Sequence, residues 1–380
     1  MINVGVIGTG YIGPIHIETI NRIGGVKVTA VADANRDLAE KTAGRFDIEK
    51  VYGNYREILQ DPEIDVIHNC TPSKYHYEIN SAAIKAGKHI LAEKPLAINY
   101  KEAVDLTEQA DKKGLITGVN FCYRYYPVVQ EMARRIRNLE AGNIRMATGT
   151  WFQDWLFYST DYSWRLEKSE SGESNISADL GSHWLDLIQF VTGLKITKVF
   201  ADFSTIIPIR QKPSSQILAF ETSSTDNSVD VKIELEEYSS ILFRLENNAP
   251  GSFTTCQACA GRKSDTEFQI YGDKCSFSWD HREATKLWIG HRDKANEILI
   301  ESPSLLGSES AHYASVPGGH PLGYLDAEYN LFNDFYSVIK NGETHEERKW
   351  RPTFETGAEE MNILDSIVKS NKKKQWIDVK

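Results

Sequence analysis

Three residues have side chains that could do chemistry together: Asp179, His183 and Lys94. Residues 177–187 read SADLGSHWLDL. Asp179 and His183 lie four apart in a stretch that otherwise looks ready for burial and reads as the start of a helix over 179–192. That spacing puts them on one face, one turn apart. A buried carboxylate and imidazole cost free energy unless they are paired or used. Three readings compete: a metal pair that Asp186 could join, a core pair satisfied by hydrogen bonds, and an acid/base couple. A metal site wants at least three ligands with His or Cys among them, and no other His-rich segment supplies one. Lys94 stands in AEKP, where an apolar run ends just before a proline. Its alternative is a solvated loop lysine.

The elements that must position these residues follow from the apolar pattern. Over the first 120 residues, apolar runs at 2–7, 26–33, 65–71, 88–94 and 115–121 alternate with helix-like stretches such as 75–87 and 99–113. Strands apolar throughout and separated by helices predict a parallel, doubly wound sheet, an α/β fold. The first strand runs into GTGYIG, with Gly8, Gly10 and Gly13 in dinucleotide-binding register. The first glycine permits the tight turn, the second lets the backbone approach a pyrophosphate, and the third allows close helix–strand packing. Tyr11 and Ile12 complete that loop. Asp33 ends the second strand 20 residues after Gly13, where a carboxylate takes the ribose 2′-hydroxyl. It favours NAD and makes NADP the lesser choice, because it would repel a 2′-phosphate; Arg36 works the other way. Thr71, Pro72 and Glu93–Lys94 sit at strand C-termini, where open α/β sheets bind ligands. His76 reads as a helix-start residue near the cofactor with no chemical role.

After about residue 125 the character changes. A helix-like stretch at 127–140 precedes a Trp-, Tyr- and Phe-rich segment over 143–175. From 197 to 301 the pattern has period 2 with short turn signals, predicting a large antiparallel sheet. A Gly/Pro/Ser-rich loop over 303–323 and two helices near 324–341 and 354–371 close the chain. We divide it into a Rossmann domain over 1–121 and a substrate-binding and oligomerisation domain over 122–380. Cys256 and Cys259 form CQAC inside an alternating SFTTCQACA, which would put them on opposite faces of a strand.

Composition bounds the function. The net charge of −10 argues against a nucleic-acid binder, which would carry a basic face. No apolar run approaches the ~20 residues of a membrane span. The first residues enter a strand pattern at once, without a signal-peptide pattern. Five scattered cysteines suit a reduced, cytoplasmic protein.

GTGYIG, TPSKYH, AGKHILAEKPLA, NFCYRYYP and DLGSH, in this order and spacing, resemble the Gfo/Idh/MocA (glucose–fructose oxidoreductase / inositol dehydrogenase) family. The resemblance implies an N-terminal Rossmann domain followed by an α/β domain with a large, mostly antiparallel open sheet. It implies an enzyme that oxidises or reduces a hydroxyl or carbonyl of a sugar, glycoside or polyol with a nicotinamide cofactor. The family's E-K-P lysine matches Lys94, and its D-x-G-x-H pair matches Asp179 and His183, which in the family surround the reacting carbon. It further implies a cis peptide before Pro95. Many members carry a glycine run where this chain has ESGESNISAD. The segment QDWLFYSTDYSWR and the later PGGHPLGY resemble a branch acting on glycosides or anhydrosugars.

With a nucleotide cleft to act on, the acid/base reading of Asp179 and His183 is preferred. His183 is assigned as general base in oxidation, and Lys94 as the group that holds and stabilises the same oxygen, though Lys94 could itself be the base. Sugar recognition needs flat apolar faces and fixed polar groups; Asp154, Trp155, Trp164, Arg165 and His320 are the substrate candidates, and Arg124 is placed with the cofactor. No metal is expected. Two other functions compete: a glycosidase using NAD for transient oxidation and elimination, and a non-catalytic NAD or metabolite sensor. A large open sheet needs its free face covered, predicting a homodimer or homotetramer.

Overall fold

A computed structural model describes residues 1–214, 228–342, 348 and 350–380. They form two compact units. The first comprises Met1–Phe121, Ser169–Gly172 and Glu328–Met361; the second comprises Cys122–Lys168, Glu173–Ala327 and Asn362–Lys380.

The first unit is built on strands β1 (Ile2–Ile7), β2 (Val26–Ala32), β3 (Lys50–Tyr52), β4 (Val66–Asn69), β5 (His89–Ala92) and β6 (Thr117–Val119). They pair in parallel in the order β3-β2-β1-β4-β5-β6. Val4, Val6, Ile67 and Ile90 are fully buried, as a sheet covered on both faces requires. The connecting helices Arg36–Phe46, Tyr55–Gln60 and Tyr100–Lys113 are each started by an asparagine whose side chain accepts a backbone N–H. Strand order reverses between β1 and β4, and ligands of such sheets bind beyond the strand C-termini at that point. The late segment belongs to this unit too. The Val119 N–H donates to the Pro352 carbonyl at 2.8 Å, and a Cβ on Gly118 would lie 3.2 Å from the Phe335 ring.

The second unit holds β7 (Ile144–Phe152), β8 (Ile196–Ser204), the ribbon strands β9 (Ile209–Lys212) and β10 (Val229–Lys232), β11 (Tyr238–Leu245), β12 (Pro250–Cys256), β13 (Asp265–Gly272), β14 (Ser276–Asp280), β15 (Lys286–Gly290), β16 (Glu297–Ile300) and β17 (Ile377–Asp378). Nine of these form one sheet in the order β16-β15-β14-β13-β7-β12-β11-β8-β17. Every neighbouring pair is antiparallel except β7 with β12. The fold is therefore α/β, with the large, mostly antiparallel sheet that the sequence predicts. Part of the period-2 stretch, 215–227, lies outside the described residues.

One face of this sheet is core: Phe243, Phe253, Phe268, Phe277 and Trp279 are fully buried. The helix Ser182–Thr192 is seated on it. Trp184 stacks on Phe253 with centroids 4.3 Å apart, and its Nε1–H donates to the Glu267 carbonyl at 3.2 Å. The seat depends on Gly149, where an added Cβ would lie 2.8 Å from the Trp184 ring and 2.1 Å from the Glu267 carbonyl.

The cysteine expectation is corrected. β12 stops at Cys256, so the alternation does not reach Cys259. The chain turns at Gln257, and the Cys259 N–H returns to the Gln153 carbonyl at 2.9 Å. The two sulfurs come beside each other, and burial first, with Cys259 adding, pushes the Cys256 thiol up to about 12. Both are free thiols.

No helix among the described residues is long and apolar enough to cross a membrane.

Candidate active site

The first unit presents a dinucleotide cradle. Gly8 follows β1 with φ +92°, and a Cβ there would lie 2.7 Å from the Cys70 carbonyl at the end of β4. A Cβ on Gly13 would lie 2.2 Å from the Gly8 carbonyl. Only glycine fits at either place: Gly8 permits the tight turn and Gly13 the close packing of the helix Ile12–Asn21 on the loop, whose N-terminus a pyrophosphate could face. Tyr11, beside Gly10, is half exposed. Asp33, just after β2, accepts from the Thr9 N–H at 2.7 Å and the Thr9 hydroxyl at 3.0 Å, while its other oxygen accepts from the Asn35 N–H at 2.9 Å. A carboxylate is thereby fixed against the glycine loop, where it would meet a ribose hydroxyl and repel a 2′-phosphate. The Arg36 guanidinium is turned to Glu40 at 2.9 Å. These residues fit NAD.

Two turns flank that cradle. Thr71 donates its hydroxyl to Asn69 at 2.7 Å. The His76 ring lies between the Pro95 carbonyl (Nδ1, 2.7 Å) and the Thr71 carbonyl (Nε2, 2.8 Å). Burial lowers its pKa, and the two carbonyls pull the other way. His76 thus ties the Thr71–Pro72 turn to the Lys94–Pro95 turn. The Lys94–Pro95 peptide is cis, as the resemblance implies. Lys94 is half-buried, and its amide N–H donates to Glu93 Oε2 at 3.3 Å.

The second unit brings Asp179, Arg165 and Gln257 together. Asp179 Oδ1 accepts from Arg165 Nε at 3.2 Å, and Oδ2 from Gln257 Nε2 at 3.1 Å. The Arg165 guanidinium lies over the Trp164 ring at 4.6 Å and the Trp155 ring at 5.9 Å. Gln257 is itself oriented by Asn175, whose Nδ2–H donates to Gln257 Oε1 at 3.0 Å. The helix start expected at Asp179 is wound more widely: Ser177–Gly181 is a π-turn running straight into the helix Ser182–Thr192. Such turns are rare and frequent at functional sites. His183 is buried, with the Tyr123 ring at 5.1 Å and the Trp151 ring at 5.9 Å.

Other predicted residues have different settings. Asp186 pairs in two-pronged fashion with Arg124, both buried, and Arg124 also lies over the Phe190 ring at 4.9 Å. Asp154 pairs with Lys263 at 2.9 Å and caps the Gly261 N–H. His320 is exposed on its loop. Among the described residues no three His, Cys, Asp or Glu side chains gather in a metal-holding group.

Three contributors escaped the sequence reading. Gln257 was hidden inside a cysteine motif. Tyr123 was noticed only as part of NFCYRYYP. Arg210 gave no signal, yet it holds the aromatic segment in place: its side chain donates to the carbonyls of Leu156 (2.7 Å), Tyr158 (2.6 Å) and Asp161 (2.8 Å).

The family model described as "Oxidoreductase family, NAD-binding Rossmann fold" matches residues 2–121, and the GFO/IDH/MocA C-terminal domain model matches residues 129–278. The chain belongs to the Gfo/Idh/MocA family. Its Rossmann domain is the family's NAD-binding domain, and the protein is an oxidoreductase. Among Gfo/Idh/MocA relatives, levoglucosan dehydrogenase of Pseudarthrobacter phenanthrenivorans is 29% identical over 392 residues, covering 100% of this chain and 98% of the relative. Myo-inositol 2-dehydrogenase of Thermotoga maritima is 28% identical over 204 residues, covering 54% of this chain and 59% of the relative. The solved apo levoglucosan dehydrogenase superposes with a TM-score of 0.91 at 27% identity, covering 100% of this chain and 98% of that one. Its complex with NADH and levoglucosan gives 0.87 at 28% identity, covering 100% and 99%.

Proposed function

We propose that this protein is an NAD-dependent dehydrogenase of a sugar, glycoside or polyol, acting at a ring hydroxyl. NAD, when bound, supplies the hydride acceptor for that oxidation. The chain's own residues do the rest. His183 takes the hydroxyl proton, because loss of hydride from a carbinol leaves a carbonyl only if that proton also departs. Lys94 donates to the same oxygen and stabilises its developing charge. Arg165 and Gln257 hold Asp179, which presents a fixed acceptor to a neighbouring hydroxyl. The observation that carries the carbohydrate reading is the arrangement of Arg165 over Trp164 and Trp155 with its Nε on Asp179. It sets flat apolar faces beside fixed polar groups, as sugar sites require. Whole-length likeness to levoglucosan dehydrogenase supports an anhydrosugar or glycoside within that class. Residues 1–121 would carry the cofactor and 122–380 the substrate.

The test is absorbance of reduced nicotinamide with NAD, then NADP, against free sugars, inositols, levoglucosan and glycosides. We expect a signal with NAD and one substrate group. Aglycone release without net change in NAD would replace this reading with a glycosidase, and silence with NAD still bound would favour a sensor.

We also propose a cytoplasmic homodimer or homotetramer formed through the outer face of the nine-stranded sheet. That face mixes Leu242 and Met146, 45% and 38% exposed, with hydroxyl pairs such as Thr148–Ser252 and Ser240–Thr254, a surface able to pack on its own copy. Light scattering should give at least twice the chain mass of 43.0 kDa. A monomer at micromolar concentration counts against it, and so does an oligomer that survives Leu242→Glu unchanged.

A further inference from the structure

Behind Glu93 lies a chain of polar groups buried inside the first unit, none of which the proposed chemistry uses. His16 Nε2 faces Glu93 Oε1 at 3.0 Å. The Nδ1 atoms of His16 and His68 face each other at 2.9 Å. His68 Nε2 faces the Tyr336 hydroxyl at 2.7 Å. His16, His68 and Tyr336 are fully buried, and Glu93 is 8% exposed. The side-chain amide of Asn120 donates to Glu93 at 2.6 Å and to Glu328 at 3.0 Å. Phe332 packs edge-on against both imidazoles.

The protons can be counted. A carboxylate only accepts, so His16 Nε2 carries a proton. Of the two facing Nδ1 atoms, one donates and the other accepts. Burial and the adjacent His16 keep His68 neutral, and two arrangements then satisfy this. In the first, Tyr336 donates to His68, neutral His68 donates to neutral His16, and His16 donates to Glu93. In the second, His16 is an imidazolium that donates at both ends, and neutral His68 donates from Nε2 to the Tyr336 oxygen. They differ by one added proton and by the direction of each bond beyond His16.

We infer that His16, His68 and Tyr336 are a buried relay that stores one proton against Glu93, and that Glu93, so neutralised, is a positioning residue for Lys94, whose amide N–H it accepts. The second arrangement is the one that sets a cation 3.0 Å from the buried Glu93 carboxylate, which would otherwise be costly to keep charged. Burial opposes the His16 cation, and the Glu93 carboxylate 3.0 Å from Nε2 favours it and raises His16 above the usual imidazole range, to which Cys70 would add only as a thiolate. Burial keeps Cys70 itself a neutral thiol, so Glu93 is the counter-charge. Burial opposes the Glu93 charge too, yet His16, Lys94 and Asn120 hold it at about 2. Burial keeps Tyr336 a phenol.

The positioning claim rests on the reading of Lys94 as the group that contacts the substrate oxygen; the relay claim does not. The test therefore has two arms. The first uses ¹⁵N-histidine NMR of the full chain with His16→Gln and Glu93→Gln variants. One imidazolium should persist to a pH above the ordinary imidazole value of ~6.5, vanish in His16→Gln, and become neutral at pH 7 in Glu93→Gln. A neutral His16 at pH 7 in the parent protein overturns the relay whatever the activity. So does a His16 signal unmoved by Glu93→Gln. Because His16 is raised, its stabilisation is complete below ~6.5 and is lost as pH climbs through the raised value; His16→Gln should abolish that alkaline loss of Tm. The second arm reads the Lys94 amide cross-peak in ¹⁵N-lysine-labelled protein, assigned by Lys94→Arg. It also reads kcat and KM with NAD and levoglucosan or myo-inositol, and NAD affinity by calorimetry. Both variants should shift the amide peak and lower kcat by about tenfold or more, as misplaced reacting groups do, and in His16→Gln KM and NAD affinity should be little changed. An unmoved amide peak, or unchanged kcat, overturns the positioning role. A parent protein inactive on the panel fails the dehydrogenase reading, while both NMR readouts still decide this one.

Discussion

His183→Ala is expected to lower turnover by about 10²–10⁴-fold, the usual contribution of a positioned general base, while NAD affinity stays where it was. The reasons are local. The helix that carries His183 is anchored on the sheet through Trp184, stacked on Phe253 and bonded to the Glu267 carbonyl, so removing the imidazole leaves the helix in its seat. The imidazole is packed against Tyr123 and Trp151, which fixes its direction. Gly8, Gly13 and Asp33, which we propose hold the cofactor, belong to the other unit. Turnover and NAD affinity measured on the same preparation check the split. Unchanged turnover removes His183 from the chemistry, and NAD affinity falling in step with turnover makes its role structural.

Removing Arg210 should cost the second unit a large share of its stability. Arg210 and Glu237 are both fully buried. The guanidinium has five N–H groups, and every one has an acceptor: Glu237 takes two, and the carbonyls of Leu156, Tyr158 and Asp161 take the rest. Glu237 in turn accepts the N–H groups of Ile206 and Ile207 at 2.8 and 2.7 Å. Arg210→Met leaves a buried carboxylate without its cation and three carbonyls without donors, a loss of about 3–5 kcal/mol. The damage should centre on the segment carrying Trp155, Trp164 and Arg165, whose small core is Leu156, Leu166 and Ile233. KM for the sugar should therefore rise in whatever protein remains folded. Denaturant unfolding measures the first effect and kinetics the second. A stability loss below ~1 kcal/mol contradicts the account, and adding Glu237→Leu to Arg210→Met should recover part of the loss, since no charge then remains buried.

What the sequence disclosed follows from how local each signal is. Gly8, Gly13 and Asp33 fall within one βαβ unit, so their placement at the loop after β1 and the end of β2 could be read from spacing. Lys94, Asp179 and His183 lie in short motifs that repeat the family's pattern. The alternation of β11 to β14 could be read because one face of each strand is core. What stayed hidden is non-local. Gln257 reaches Asp179 across 78 positions, Arg210 reaches Leu156 across 54, and His68 meets Tyr336 across 268. No window of the sequence holds both partners. The π-turn at Ser177–Gly181 was missed for another reason: helix periodicity tells where a helix lies, not that one turn takes an extra residue. Cys259 was misplaced because alternation continues on paper past Cys256, where the strand itself has ended.

The first unit's discontinuity has a consequence for synthesis. Its six strands are all encoded by residue 119, yet the Phe335 ring that closes over Gly118, the Pro352 carbonyl that receives the Val119 N–H, and the Tyr336 hydroxyl that ends the His16–His68 chain all lie between 328 and 361. On the ribosome, residues 122–327 must emerge before any of these arrive. The nascent Rossmann sheet therefore waits with one flank uncovered and His68 short of its Tyr336 partner while the larger sheet is being made. Premature release anywhere in that interval yields a chain with an open apolar surface, a natural substrate for chaperones.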